Sequence, residues 1–339
     1  MAYVESRSAP VLQRVPWLPG VALAVGLGVV ALWASETAWL RQWHLSALTV
    51  AIVIGLLLGN LSGGRLSPAF TPGLALAQRQ LLRAGVVLYG LRLSFQDVAA
   101  VGAPGLVLDL LIVASTLGLG VWAGRRWFGL DRDTALLTAA GSAICGAAAV
   151  LAVERVIRPE PGKVAIAVAS VVLFGTLNIF LYPALYPHLG LDAAAFGLYT
   201  GATVHEVAQV VAVGSAIGPE TADAAVVVKL TRVLMLVPVL FLLGWREARA
   251  GGQRAMVVPW FALGFLGVVA LNSLVTIPAA TKSALLALDT LLLATAMAAL
   301  GMETRLSRLR ALGPRPLLLA GLLFLWLCGG GYVLVRWLG

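Results

Sequence analysis

The sequence predicts an all-α polytopic membrane protein with about nine transmembrane helices plus two re-entrant or broken helical segments in inverted repeats. Three observations predict it. Of 339 residues, 60% are hydrophobic and only 12% charged, where a soluble domain carries about 25% charged residues. The mean hydropathy of +0.95 is distributed as apolar runs near the roughly 20 residues that cross a hydrocarbon core. Two of those runs are interrupted by small residues, and they are related to each other by a fixed offset.

In chain order, Arg7 and Arg14 precede the first run, 17–34. This could pass for a signal peptide, but no small-residue cleavage site follows and many more spans do, so it reads as the first helix behind a cytoplasmic tail at 1–16. Runs at 45–61, 74–93 and 103–124 come next. The fifth, 134–157, is broken at Gly141-Ser142-Ala143-Ile144-Cys145-Gly146; the sixth, 163–186, is continuous. The seventh, 193–217, is broken at Gly201-Ala202-Thr203-Val204-His205-Glu206, and runs at 220–245, 256–275, 282–302 and 315–337 complete the chain. No intervening stretch could form a separate soluble domain, so 17–339 reads as a single membrane domain.

An ungapped offset of 60 residues pairs Gly141/Gly201, Ala148/Ala208, Val150/Val210, Ala152/Ala212, Val153/Val213, Ile157/Ile217, Pro159/Pro219, Glu160/Glu220, Ala165/Ala225 and Val168/Val228. Ten identities in 28 positions exceed the roughly one in eight that Ala/Val-rich composition would produce. The repeat units are about 134–186 and 193–245. A weaker echo joins the stretch from Gly90 to Gly102 with that from Gly301 to Gly313.

Net charge is +9, from 24 Lys and Arg against 15 Asp and Glu. The basic residues sit between apolar runs, as with Arg125, Arg126 and Arg132, or Arg305, Arg308, Arg310 and Arg315. They therefore read as cytoplasmic topology signals and not as a nucleic-acid surface. If both broken segments crossed fully, the loop holding Arg155, Arg158 and Lys163 would lie outside, against that rule. If each enters and returns, the basic loops all face the cytoplasm and the two repeat units are inverted. The re-entrant arrangement is favoured.

Two cysteines far apart, Cys145 and Cys328, make no disulfide framework, and His44, His188 and His205 make no multi-histidine metal centre. No HExxH, GxGD or nucleophile–base constellation points to an enzyme, no GxxxxGK[ST] points to ATP coupling, and no cofactor is called for. Backbone unwound at membrane depth must be satisfied by protein or a water-filled cavity. Paired Gly-interrupted segments in inverted repeats mark midplane substrate sites in secondary transporters, with half-helix N-termini suited to an anion.

The runs GSAICGAAAVLAVERVI, VVLFGTLNIFLYP, GLYTGATVHEVAQVVAVG and VVVKLTRVLMLVPVLFLLGW, together with VVLYGLRLSFQDVAAVG, resemble the bacterial YeiH-type sulfate exporter family over roughly residues 45 to 337. The resemblance implies a multi-pass inner-membrane carrier that exports sulfate or a related small anion.

His205 and Glu206 occupy the second break, where the first has Cys145 and Gly146. A carboxylate beside an imidazole suits ion coupling, or else a fixed ion pair. Lys229 and Arg232, one turn apart in the next span, could neutralise Glu206 or attract a dianion, the Arg fork donating two bonds at once. Gln209 lies one turn beyond Glu206, and Ser142, Thr203, Thr176 and Asn178 add neutral donors near the breaks. The expected substrate contacts are Ser142, Cys145, Thr203, His205, Gln209, Arg232 and Asn178; the expected coupling residues are Glu206, His205 and Lys229. Asp109 and Asp289 are intramembrane carboxylates whose partners a sequence does not name, and a cation-coupled carrier using Glu206 and Asp109 is the competing reading. Expected partners are a small anion and the lipid bilayer, with no nucleic acid and with room for a homo-oligomer.

Overall fold

The computed structural model describes residues 15–37, 46–61, 67–249, 260–304 and 313–338. All but the end of the expected tail at 1–16, together with His44 and the loop arginines Arg305, Arg308 and Arg310, lies outside the described residues. Every described element is helical. In order they are α1 (Leu18–Ser35), α2 (Ala47–Leu61), α3 (Thr71–Leu76), α4 (Leu82–Tyr89), α5 (Phe95–Arg126), α6 (Arg132–Ala143), α7 (Ala147–Ile157), α8 (Pro161–Leu189), α9 (Ala193–Thr203), α10 (Val207–Ile217), α11 (Pro219–Leu234), α12 (Leu236–Arg249), α13 (Trp260–Leu274), α14 (Ala279–Glu303) and α15 (Pro314–Leu338).

Six stretches, Leu18–Ser35, Val101–Arg126, Gly162–Leu189, Pro219–Glu247, Ala279–Glu303 and Pro314–Leu338, are long and apolar enough to cross a membrane; Ala47–Leu61 and Trp260–Leu274 are shorter apolar helices. Large apolar side chains such as Trp33, Phe241, Leu325 and Val333 face outward, as a hydrocarbon solvent requires. The span expected at 74–93 is not one straight α-helix: a π-helical turn at Ala77–Leu81 joins α3 to α4, and a 3-10 turn at Gly90–Arg92 ends it.

The chain divides into two compact units, Met1–Leu88 with Ala280–Arg305, and Tyr89–Ala279 with Leu306–Gly339. In the first, α2 and α14 approach so closely that a Cβ on Gly55 would strike the Ala298 carbonyl and one on Gly301 the Ile52 carbonyl, the small-residue contact typical of membrane helices.

The second unit holds both broken segments. Asp131 caps the N-terminus of α6 by accepting from the Asp133 and Thr134 amides, and Asp192 caps α9 by accepting from Ala195 N at 2.8 Å. Each segment then turns back on itself. Gly146 N donates to Gly141 O at 3.0 Å, and the Val150 side chain fills the space beside Gly141. Only Arg158–Glu160 separate α7 from α8, and the start of α8 lies beside the start of α6: Lys163 Nζ is 3.0 Å from Asp131 Oδ1. In the second repeat, Thr221 Oγ1 at the start of α11 donates to Ala193 O at the start of α9, 2.9 Å away. Both segments are therefore re-entrant, each leaving by the face it entered.

Because α8 crosses between the hairpins, they enter from opposite faces. Arg125, Arg126, Arg132, Arg155, Arg158, Lys163, Arg246 and Arg249 mark the α6–α7 face, which the positive-inside rule makes cytoplasmic. Arg132 of α6 pairs with Glu247 of α12 on that same face.

Two measurements follow from this closure. Cysteine introduced at exposed Glu160 will be labelled from the cytoplasm and at exposed Asp192 from the outside; the reverse pattern would mean that both segments cross. Burial would raise the Asp131 carboxyl, but hydrogen bonds from Thr134 and Lys163 outweigh it and hold the group at about 2, below its ordinary 3.8. The stabilisation is thus complete above pH 3.8 and disappears as pH falls through about 2. Thermal unfolding in detergent should fall more steeply over this acid range in the wild type than in Asp131→Asn.

Candidate functional site

Where α6 and α9 stop inside the second unit, their last carbonyls have no intrahelical donor. In a bilayer interior each such group costs several kcal/mol if left unpaired. Lys229 and Arg232, three residues apart on α11 and fully buried, supply the missing donors to both hairpins. Lys229 Nζ donates to Ile144 O at 3.0 Å and to Val204 O. Arg232 Nε donates to Ala143 O at 2.5 Å, one terminal nitrogen to Ser142 O at 2.7 Å and the other to Ala202 O. One span thereby ties two re-entrant tips together.

The outgoing half-helices present the opposite problem, free amides at their N-termini. Glu206 answers it for both. Its Oε1 accepts from Ala147 N at 3.2 Å at the start of α7, and its carboxylate also accepts from the N3 amide of α10, while Gln209 Oε1 accepts from Glu206 N at 3.0 Å. Gly146 makes room for this. Its φ of 71° lies where side chains are rarely tolerated, and a Cβ there would run into Glu206 Cγ.

Helix ends carry roughly half an elementary charge each. Two C-termini and Asp109 thus face Lys229 and Arg232, and two N-termini face Glu206, so with these side chains ionised the side-chain charges and the partial charges of the helix ends nearly cancel at both ends of the crossing. Asp109, on α5, is fully buried, and neither of its oxygens has a hydrogen-bond partner among the described residues. Its Coulombic neighbours are Arg232 and Lys229.

The remaining candidates divide into engaged and unengaged groups. Thr203 accepts from Tyr182 OH at 2.8 Å and donates to Tyr199 O at 2.5 Å, beside the stacked Tyr182 and Tyr199 rings. Its hydroxyl is part of the scaffold. Arg232 and Lys229, expected as oxyanion ligand and coupling residue, donate to backbone carbonyls of the tips they join, whose main chain has no intrahelical donor there. Ser142 Oγ, His205 Nδ1, Gln209 Nε2, Thr176 Oγ1 and both amide atoms of Asn178 are buried without partners among the described residues, and Cys145 is a buried free thiol. Gln209 packs against Gly175, next to Thr176 on α8. Asp109 stands outside the expected substrate and coupling sets and enters the sequence reading only through the competing cation-coupled carrier. Its signal is a carboxylate within an apolar run; its place beside Lys229 and Arg232 comes from the packing of α5 on α11.

A family model described as conserved hypothetical protein 698 matches residues 19–320. A UPF0324 membrane protein of Pseudomonas aeruginosa is 50% identical over 346 residues, covering 98% of each chain. The UPF0324 inner membrane protein YeiH of Escherichia coli K12 is 46% identical over 322 residues, 93% of this chain and 92% of that one. The chain belongs to the UPF0324 (YeiH) family. A UPF0324 membrane protein of Bordetella pertussis is 47% identical over 334 residues, covering 95% of this chain and 96% of its own. No solved structure matches the chain. This UPF0324 protein is a multi-pass inner-membrane protein, and both hairpins with α5, α8 and α11 lie inside the region that defines its family.

The contact between Gly146 and Glu206 can be tested in this UPF0324 protein by Gly146→Ala. Strain at a backbone conformation of this kind costs about 1–3 kcal/mol, and the new methyl also displaces Glu206. A clear drop in thermal stability in detergent is expected, larger than for Gly162→Ala, where nothing lies within 4 Å of the added carbon.

Proposed function

We propose that this UPF0324 protein is a secondary carrier, not an enzyme, that exports sulfate or a related small anion by alternating access, the anion binding between the two hairpin tips. The observation that carries this reading is the charge balance of the crossing. Glu206 occupies the two N-termini as a tethered anion, and Asp109 balances the cations that hold the two C-termini. The site is neutral while both carboxylates are ionised.

A proton on Glu206 weakens its hold on the amides of α7 and α10, and half-helix N-termini are ready-made anion sites. A proton on Asp109 leaves one positive charge uncompensated. Together the two changes match a dianion, so sulfate with two protons would cross without moving net charge. Ser142, His205, Gln209 and Asn178 supply neutral donors that desolvate more cheaply than charges. Export of one sulfate with two protons then requires an outward anion concentration ratio larger than the square of the inward proton ratio. The inverted hairpins give the site two related ways of opening, one to each face.

One observation favours a second reading. Asp109 has two oxygens without hydrogen-bond partners among the described residues, the arrangement of a carboxylate that could hold a sodium ion in place of a proton, as in a cation-coupled carrier or exchanger.

Proteoliposomes loaded with labelled sulfate and a pH-sensitive dye separate the two. The expected result is saturable sulfate flux accompanied by about two protons per ion, one for each carboxylate. Glu206→Gln and Asp109→Asn should each reduce this to about one while flattening the pH dependence. Flux that requires sodium and ignores every oxyanion would replace the first reading with the second.

A further inference from the structure

Away from the hairpin crossing, the second unit has a groove of about 980 Å³ between the cytoplasmic ends of α5 and α12, floored by Leu136 of α6. Its two zones differ in chemistry. At the rim stand Arg125 and Arg126 from α5 and Arg246 from α12, all exposed. Below them the walls are apolar, with Trp122 53% exposed and Leu242 58% exposed. On α5 the groove runs from Arg126 back to Leu117, about 13 Å along the helix at 1.5 Å per residue, which takes it from the headgroup level well into the hydrocarbon.

The charges of this face are not equally free. Arg132 is neutralised by Glu247, and Arg249 lies 3.7 Å over the Trp245 ring. Arg125, Arg126 and Arg246 have neither ion pair nor hydrogen bond among the described residues. Three uncompensated cations thus converge from two helices at the mouth of an apolar slot that opens at the membrane surface.

We infer that this groove is a binding site for one anionic phospholipid, its phosphate held by Arg125, Arg126 and Arg246 and an acyl chain laid along Trp122 and Leu242. Charge complementarity at the rim selects the anionic headgroup, and the guanidinium fork suits phosphate oxygens. The apolar depth distinguishes a lipid from a soluble phosphate, which would leave the slot without an occupant. Basic pockets between membrane helices on the cytoplasmic side are the recognised setting for such headgroups. Neither Glu206 nor Asp109 takes part, so the site does not depend on what the protein transports.

The full chain purified from bacterial membranes in mild detergent can be examined by native mass spectrometry with added phosphatidylglycerol, cardiolipin or phosphatidylethanolamine. The wild type should retain phosphatidylglycerol or cardiolipin in preference to phosphatidylethanolamine. The triple variant Arg125→Ala, Arg126→Ala, Arg246→Ala should bind the anionic lipid about a hundredfold more weakly, as three interfacial cations imply. Arg155→Ala with Arg158→Ala, on the same face outside the groove, should leave binding unchanged. Equal weakening in both variants, or retention in the triple variant, overturns the proposal, as does a wild type without headgroup preference.

A second measurement covers the case in which the triple variant does not fold. In wild-type protein reconstituted in bilayers, phosphatidylglycerol with brominated chains should quench tryptophan fluorescence more than brominated phosphatidylcholine at equal content, and Trp122→Phe with Trp245→Phe, which empties the groove of both its tryptophans, should remove that excess. Equal quenching by the two lipids, or cross-linking of cysteines placed at Trp122 in two copies, would show a groove filled by bulk lipid or by a second chain instead.

Discussion

A helix cannot end in hydrocarbon unless something donates to its last carbonyls, and in this protein that requirement fixes the centre of the second unit. Five carbonyls, from Ser142, Ala143, Ile144, Ala202 and Val204, are satisfied by two side chains of one span. Placing a Lys or an Arg at membrane depth costs about 2.5–3.5 kcal/mol each on insertion scales, and leaving the carbonyls bare costs several kcal/mol apiece. Neither the cations nor the broken helices would be stable there alone. Each makes the other tolerable, and the two re-entrant tips are held in register as a consequence.

The backbone repeat is symmetric, but its chemistry is not. At the 60-residue offset, Lys229 answers to Ala169, Arg232 to Val172, Glu206 to Gly146 and Gln209 to Ala149. Lys229, Arg232 and Glu206 all belong to the second copy, the first contributes backbone ends for them to act on, and Asp109 comes from α5, outside both copies. Gly146 shows why the asymmetry is needed. The two N-termini converge so tightly that one carboxylate fills the gap between them, and a second in the corresponding position would meet the first with like charge.

The same helices connect the crossing to the cytoplasmic surface. α5 carries Asp109 in its middle and Arg125 with Arg126 at its end, while α12 continues, after Met235, the span that carries Lys229 and Arg232. A lipid seated between the ends of α5 and α12 would therefore touch the two elements whose opposite charges balance in the interior. The outer ends are held differently: Tyr332 and Tyr199 donate to Leu189 O at 3.0 Å and to Cys328 O at 2.8 Å, which ties α15 to the end of α8 and to α9.

Much of the architecture was legible in the sequence because hydrocarbon is a demanding solvent. Long apolar runs have to become helices, Gly-rich interruptions at membrane depth have to be breaks, and the placement of Arg155, Arg158 and Lys163 selected the re-entrant arrangement that the Asp131–Lys163 and Ala193–Thr221 contacts display. The site was legible as a set of residue types and not as a set of roles. Arg232 beside an unwound segment reads equally well as a ligand for an oxyanion or as a donor to main chain, since a carbonyl and an oxyanion ask the same of a guanidinium. Only the tertiary structure shows what each group faces: it brings Ser142 O across 90 positions of sequence to that fork, takes the Thr203 hydroxyl into the tyrosine stack, and sets Asp109 beside two cations. Periodicity and composition fix which residues a membrane buries. Which buried groups face one another depends on how separate spans pack.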